Sequence, residues 1–274
     1  MREGKEGIIR ENGNGATITK GLVVGGTMLI PGVSGGSMAM ILGIYDDLIS
    51  SVSSFMKSKR KNFLFLLLFA AGGGLGIFLF AKPLLSLIEM YPMPMLYFFM
   101  GAVLGGVPLI VKKSQIKGFS FKSVFCVVLG VVSVFLISLL PEESSQSAMA
   151  PGVESVMFLV LAGFIAAVAL VLPGISVSYL LLVMGLYDEV MRAISHFYMP
   201  FLLPLGIGLL LGIVLTTKLL ERAMVRHPHS TYLIILGFVL GSMVEIFPGV
   251  PSGIDILICL ITLVAGFGII KLIS

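Results

Sequence analysis

The sequence predicts an all-α polytopic membrane protein built from two inverted repeats. Each repeat carries one re-entrant broken-helix hairpin and three transmembrane helices. Three observations predict this. The chain is too apolar for a soluble domain. Six of its apolar runs have the length of a membrane span. Two more apolar segments are broken by Pro-Gly at matching positions.

Of the 274 residues, 57% are hydrophobic and only 12% are charged, with a mean hydropathy of +1.10. Soluble domains carry about 25% charged residues, so this much apolar surface needs lipid around it. Cys126 and Cys259 lie in apolar runs and read as structural thiols. His196, His227 and His229 fall in loops and read as interfacial polar residues. Nothing in the pattern asks for a cofactor or a metal. The basic residues follow topology rather than forming a nucleic-acid patch, so the membrane is the expected partner; a homo-oligomer stays open. Residues 1–20 are polar and mixed in charge, unlike a signal peptide. The apolar run from Gly21 carries a motif that recurs in mid-chain, which assigns it to the mature fold.

The six runs are about 63–89, 95–111, 123–140, 200–220, 231–247 and 254–271. Each is close to the roughly 20 residues that cross about 30 Å of hydrocarbon. The interrupted segments are homologous. "LIPGVSGGSMAMILGIYDDLI" (29–49) aligns without gaps on "VLPGISVSYLLLVMGLYDEVM" (171–191), pairing Pro31 with Pro173, Gly32 with Gly174 and Ser34 with Ser176. Further on, Gly76 pairs with Gly212, Lys82 with Lys218 and Pro92 with Pro228, and "GAVLGG" (101–106) matches "GFVLGS" (237–242). Three matches in one order define a duplication. The expected organisation is an N-terminal cytoplasmic tail (1–16), a first repeat (17–141, hairpin about 21–56), an external loop (142–152) and a second repeat (153–274, hairpin about 155–195).

The hairpins follow from chain length and breakers. The run from Gly21 to Ile30 reaches about 15 Å as a helix, half a bilayer. Pro31 removes a backbone donor, and Gly32, Gly35 and Gly36 weaken helix propensity. Broken backbone is not tolerated against lipid, so the break belongs inside protein or on a cavity. Positive charge supports this topology. With both segments re-entrant, all Lys and Arg except Lys82 and Arg192 fall on one side, which is then cytoplasmic and holds both termini. Each half crosses three times, an odd number, so the halves are inverted relative to each other.

A break in mid-membrane exposes backbone N–H donors at the start of the returning helix, where an anion is favoured. The candidate binding residues are Pro31, Gly32, Ser34, Gly35, Gly36, Ser37, Pro173, Gly174, Ser176 and Ser178. Two such tips around a pseudo-twofold axis would make one polar site at the midplane. Lys82, Lys218 and Arg192 are candidate counter-charges, because a cation within a span points to function. Lys218 lies nearer its loop than Lys82 does, and Arg192 could equally pair with Asp188 or Glu189. Glu89 and Glu245 are candidate proton carriers. Asp46, Asp47, Asp188 and Glu189 follow the hairpins and read as caps or solvated interfacial acids. The small-residue motifs at 101–106 and 237–242 read as close helix packing.

At "PGVSGGSMAMILGIYDDLI" and the weaker "LPGISVSYLLLVMGLYDEV" the chain resembles a bacterial membrane family, formerly domain of unknown function 368. That family is associated with polyprenyl-phosphate translocation, the PopT type. The resemblance covers nearly the whole chain. Its signature maps onto Pro31, Gly32, Val33, Ser34, Gly35, Gly36, Gly43 and Tyr45; the second half departs from it with Val177 and Ser178 in place of two glycines. It implies a multi-pass protein of the bacterial cytoplasmic membrane, a transporter rather than an enzyme. The implied activity is flipping undecaprenyl phosphate from the outer to the inner leaflet, recycling the carrier lipid of cell-wall peptidoglycan synthesis.

Two rivals remain at this level. "PGISVSYL" is similar to the motif of the intramembrane undecaprenyl-pyrophosphate phosphatases. Those enzymes carry an arginine after the serine, where this chain has Gly35 and Val177, and a Glu-rich motif absent here. An anion channel or exchanger would also suit broken helices.

Overall fold

The computed structural model describes residues 13–28, 33–115, 120–139 and 153–273. Among these residues the chain forms only helices and their connections. In order they are α1 (Asn14–Thr27), α2 (Gly35–Ile41), α3 (Tyr45–Ser53), a 3₁₀ turn (Phe55–Lys57), α4 (Lys59–Met90), α5 (Pro92–Lys113) and α6 (Phe121–Ser138). The same series then recurs as α7 (Val153–Val171), α8 (Val177–Val183), α9 (Tyr187–Ser195), α10 (Met199–Arg226), α11 (Pro228–Ile246) and α12 (Asp255–Ile273).

Four helices are long and apolar enough to cross a membrane: Lys59–Met90, Pro92–Lys113, Met199–Arg226 and Asp255–Leu272. Phe121–Ile137, Val156–Val171 and Pro228–Val244 are shorter and equally apolar. Each of the six apolar runs thus falls on a single helix, four of these long enough to cross, and the chain is a membrane protein. At 32 residues α4 extends about 48 Å, more than the hydrocarbon needs, so its Lys59, Arg60 and Lys61 turn reaches beyond it.

The repeat is visible in backbone angles as well as lengths. Between α4 and α5 stands only Tyr91 (φ −135°, ψ 62°), and between α10 and α11 only His227 (φ −134°, ψ 58°). Each precedes a proline, Pro92 or Pro228, which bars the helical region to the residue before it and ends the helix there. The proline then starts the next helix, where its missing N–H costs nothing.

Helix α1 begins at Asn14, earlier than the apolar run suggests. Its polar first turns are held by α4: Thr17 is buried, and the Ile18 carbonyl lies against Gly72. Helix α7 has 19 residues, about 28 Å, longer than a half-membrane arm.

The described chain divides into two compact units. One holds residues 1–112 and 246–274, the other 113–245. The last long helix of each series thus belongs with the other series: α12 joins α1–α5, and α6 joins α7–α11.

Within each unit, glycine lets helix backbones touch. A Cβ at Gly21 or Gly25 of α1 would strike α4 backbone at Phe69 or Gly73, and one at Gly72 or Gly76 would strike α1. Helices α7 and α10 repeat the device: Gly163 faces the Leu205 carbonyl, and Gly208 faces Val160. Gly101 and Gly105 of the first small-residue motif seat α5 on α12 at Leu263 and Phe267. Gly237 of the second seats α11 on α6 at Val127 and Gly130. Both motifs therefore serve close packing, as their spacing suggests. In lipid no water drives helices together, so backbone proximity and van der Waals contact must do so.

His229 is half-buried and adds a polar tie. Its Nδ1–H donates to the Ser114 carbonyl (2.9 Å), and its Nε2 lies 3.1 Å from Ser123 Oγ, joining α11 to both ends of the connection before α6. Cys126 and Cys259 are free and buried, the structural role expected of them.

Gly25→Val and Gly208→Val are each expected to lower stability by at least about 1–3 kcal/mol, because backbone cannot yield to a new side chain. Gly74→Ala and Gly206→Ala, with nothing within 4 Å of the added carbon, are expected to change stability little. Unfolding in SDS–micelle titrations checks both.

Candidate functional site: the two helix breaks

The breaks are built alike. Ser34, extended at φ −82° and ψ 141°, caps α2, and its Oγ accepts the Ser37 N–H at 3.1 Å. Ser176, at φ −85° and ψ 122°, caps α8 and accepts the Tyr179 N–H at 3.3 Å. A serine hydroxyl satisfies a donor that the helix start leaves orphaned. In the first break the Ser34 and Ser37 hydroxyls also bond each other at 2.8 Å, so one hydroxyl proton is committed within the pair.

Helices α2 and α8 are both seven residues long and end in the same turn. Gly43 N–H reaches the Met40 carbonyl and Ile44 N–H the Ala39 carbonyl; Gly185 and Leu186 do the same to Leu182 and Leu181. This is a Schellman motif, which requires a left-handed residue past the helix end. Gly43 (φ 68°) and Gly185 (φ 64°) supply it. The chain then enters the nine-residue helices α3 and α9.

The expected binding residues separate on this frame. Pro31 and Gly32 lie outside the described residues. Ser34, Gly35 and Gly36 are half-buried, and Ser37 is buried. In the second break Pro173 and Gly174 are buried, Ser176 is half-buried and Ser178 is exposed. Gly174 has no alternative: its φ is 83°, and a Cβ there would strike the Phe238 carbonyl. The first break keeps Gly35 and Gly36 at its helix start, with the Met28 side chain packed over Gly35; the second presents Val177 and Ser178 side chains instead.

The expected charges are placed differently. Lys82 and Lys218 are both exposed. Each stands eight residues before its helix end, at Met90 or Arg226, so Lys218 is as deep in its helix as Lys82, because α10 runs further than its apolar run. Arg192 is exposed in the last turn of α9, its carbonyl accepting from the His196 backbone N–H and ring. Glu89 is exposed near the end of α4. Glu245 is on α11, its side chain outside the described ones.

The acids read as caps or solvated groups contain the surprise. Asp47 is 6% exposed and Glu189 is 8% exposed, at equivalent third positions of α3 and α9. Helical periodicity contains the signal: Asp47 shares a face with Ile44 and Ser51, and Glu189 with Leu186 and Ala193, all of them buried.

Long apolar helices with paired, capped breaks are found in membrane transporters built from repeats. The chain belongs to the VCA0040-like, undecaprenyl phosphate translocase-like family, whose model matches residues 24–253. It is 33% identical over 261 residues to a polyprenyl-phosphate transporter of Staphylococcus aureus (strain NCTC 8325 / PS 47), covering 91% of this chain and 92% of that one. It is 30% identical over 247 residues to a polyprenyl-phosphate transporter of Vibrio cholerae serotype O1 (strain ATCC 39315 / El Tor Inaba N16961), covering 85% and 77%. No solved structure matches the chain. The family and its named members are transporters, which sets this chain apart from the phosphatases.

Ser34→Ala and Ser176→Ala are each expected to cost about 0.5–2 kcal/mol through the lost cap. Gly174→Ala is expected to cost more than either, because strain and a backbone clash add. Unfolding midpoints of the three variants check the order.

Proposed function

We propose that the chain carries polyprenyl phosphate across the bacterial cytoplasmic membrane, taking undecaprenyl phosphate from the outer to the inner leaflet. Similarity to two polyprenyl-phosphate transporters over most of both chains carries the reading. The family description supports the undecaprenyl lipid in particular. Returned carrier would then serve another round of peptidoglycan synthesis.

The proposed topology is two inverted repeats, each with one re-entrant hairpin, and both termini in the cytoplasm. Seven-residue returning helices, about 10 Å long, support re-entry because neither can cross. The bias of Lys and Arg supports the orientation.

The phosphate is proposed to sit at the breaks. A phosphate oxygen accepts from backbone N–H groups and serine hydroxyls, which Ser34 to Ser37 and Ser176 to Ser178 offer. In a seven-residue helix the dipole adds little, so the donors do most of the binding. Lys82 and Lys218 are proposed to draw the headgroup in. An exposed ammonium about 12 Å inside its helix end is costly against lipid, and an anionic headgroup relieves that cost. The prenyl chain stays in lipid throughout.

The test is leaflet-to-leaflet transfer of undecaprenyl phosphate in liposomes holding the purified protein. Transfer well above protein-free liposomes is expected. Lys82→Ala is expected to slow it about tenfold, the worth of one charge-assisted hydrogen bond. Transfer no faster than in protein-free liposomes sinks the reading; full activity in Lys82→Ala and in the Ser34→Ala, Ser176→Ala double variant sinks the site. For topology, cysteines placed at Ser58 and at Ser145 are expected to label from opposite sides of the membrane in intact cells.

A further inference from the structure

Glu189 is the third residue of α9, only 8% exposed, and its Oε2 has no hydrogen-bond partner. Its helical neighbours Leu186 and Ala193 are fully covered by an apolar cluster that includes Leu159, Ala162, Leu181 and Phe201. Of the charges around it, Arg192 is the nearest basic one in the chain, three residues on along α9, and it is exposed. Helix α8 offers only Ser178 and Tyr179 as polar side chains. On α10 the first half is apolar; its charges, Lys218, Glu221, Arg222 and Arg226, begin about 28 Å along the helix. Helix α7 has none over 156–171. On α9 itself and just beyond, Asp188, Arg192 and His196 are exposed, and the flanking phenols are Tyr187 and Tyr198.

A bare carboxylate in such a place leaves Oε2 without the hydrogen bond that burial demands. A bound proton removes the charge without needing further ligands. No group of three acids, histidines or cysteines able to hold a metal occurs among the described residues, which disfavours a larger cation. The duplicated position also carries an acid: Asp47 is buried on α3, where it has an interaction partner.

We infer that Glu189 is the proton-coupling residue of transport. It takes one proton at the outer face as the lipid phosphate is loaded and releases it inside. The inference rests on the transport reading above. It answers a physical requirement of that reading: carrying one negative charge inward against a negative-inside potential costs about 2.3 kcal/mol per 100 mV, and a proton moving with it cancels the charge. Glu89, exposed on α4, lacks the burial that would make its proton follow the protein's state.

The experiment uses full-length protein in liposomes with undecaprenyl phosphate. With one proton per lipid, an acid exterior is expected to drive an inner-to-outer lipid ratio of up to about tenfold per pH unit. In Glu189→Gln the ratio is expected to stay near one, and in Glu189→Asp to recover in part. A ratio in Glu189→Gln equal to that of the native protein overturns the inference, as does a ratio that follows sodium and ignores pH. Infrared spectra without lipid are the independent arm. A protonated-carboxyl band that Glu189→Gln removes is expected. Its absence overturns the inference whether or not lipid moves. If the band is present but the native protein moves no lipid, Glu189 stands as a proton site and the polyprenyl-phosphate reading falls.

Discussion

Backbone-to-backbone contact between helices is the constraint on which everything else here depends. Lipid removes the hydrophobic reward for burying a helix face, so helices must gain by touching closely. Glycine permits it at four pairings: α1 with α4, α7 with α10, α5 with α12 and α6 with α11. In each, a single added carbon would meet a carbonyl of the neighbour. The first two pairings anchor the helix that leads into each break. A broken helix in lipid stays ordered only if its arm is held, and the glycine seams hold it.

The breaks then solve a second problem of the same solvent, the unpaired backbone group. Each end of α2 and α8 is closed by a device that the chain repeats: a serine at the start, a Schellman turn with left-handed glycine at the finish. Helices this short would not persist alone, because nucleation is unfavourable and few bonds repay it. Caps and packing make them possible. The repeats then diverge where a ligand would meet them. One carries Gly35 and Gly36, the other Val177 and Ser178. Duplication preserved the fold of the break and left its contact surface free to specialise.

The charges divide by burial in a way that suits moving an anion. Cations are exposed on the long helices: Lys82 on α4, Lys218 on α10. Acids are buried on the short helices that follow the breaks, Asp47 on α3 and Glu189 on α9.

Much of this was legible in the sequence. Apolar length marks the spans because hydrocarbon thickness fixes how many helical residues are needed. Pro-Gly marks the breaks, and Pro92 and Pro228 mark the one-residue turns, because proline acts on the residue beside it. The duplication shows in paired residues such as Ser34 with Ser176, whose capping roles are local and so survive in the alignment. What sequence alone misplaced depends on distant partners. The start of α1 at Asn14 needs α4 to hold its polar turns, and the equal depth of Lys82 and Lys218 depends on where α10 ends. The joining of α6 and α12 to the opposite series belongs to tertiary structure alone, and the burial of Asp47 and Glu189, signalled only by helical periodicity, is decided there. A motif reports what a residue does to its neighbours in the chain; which helices lie over an acidic side chain is decided only when those helices pack.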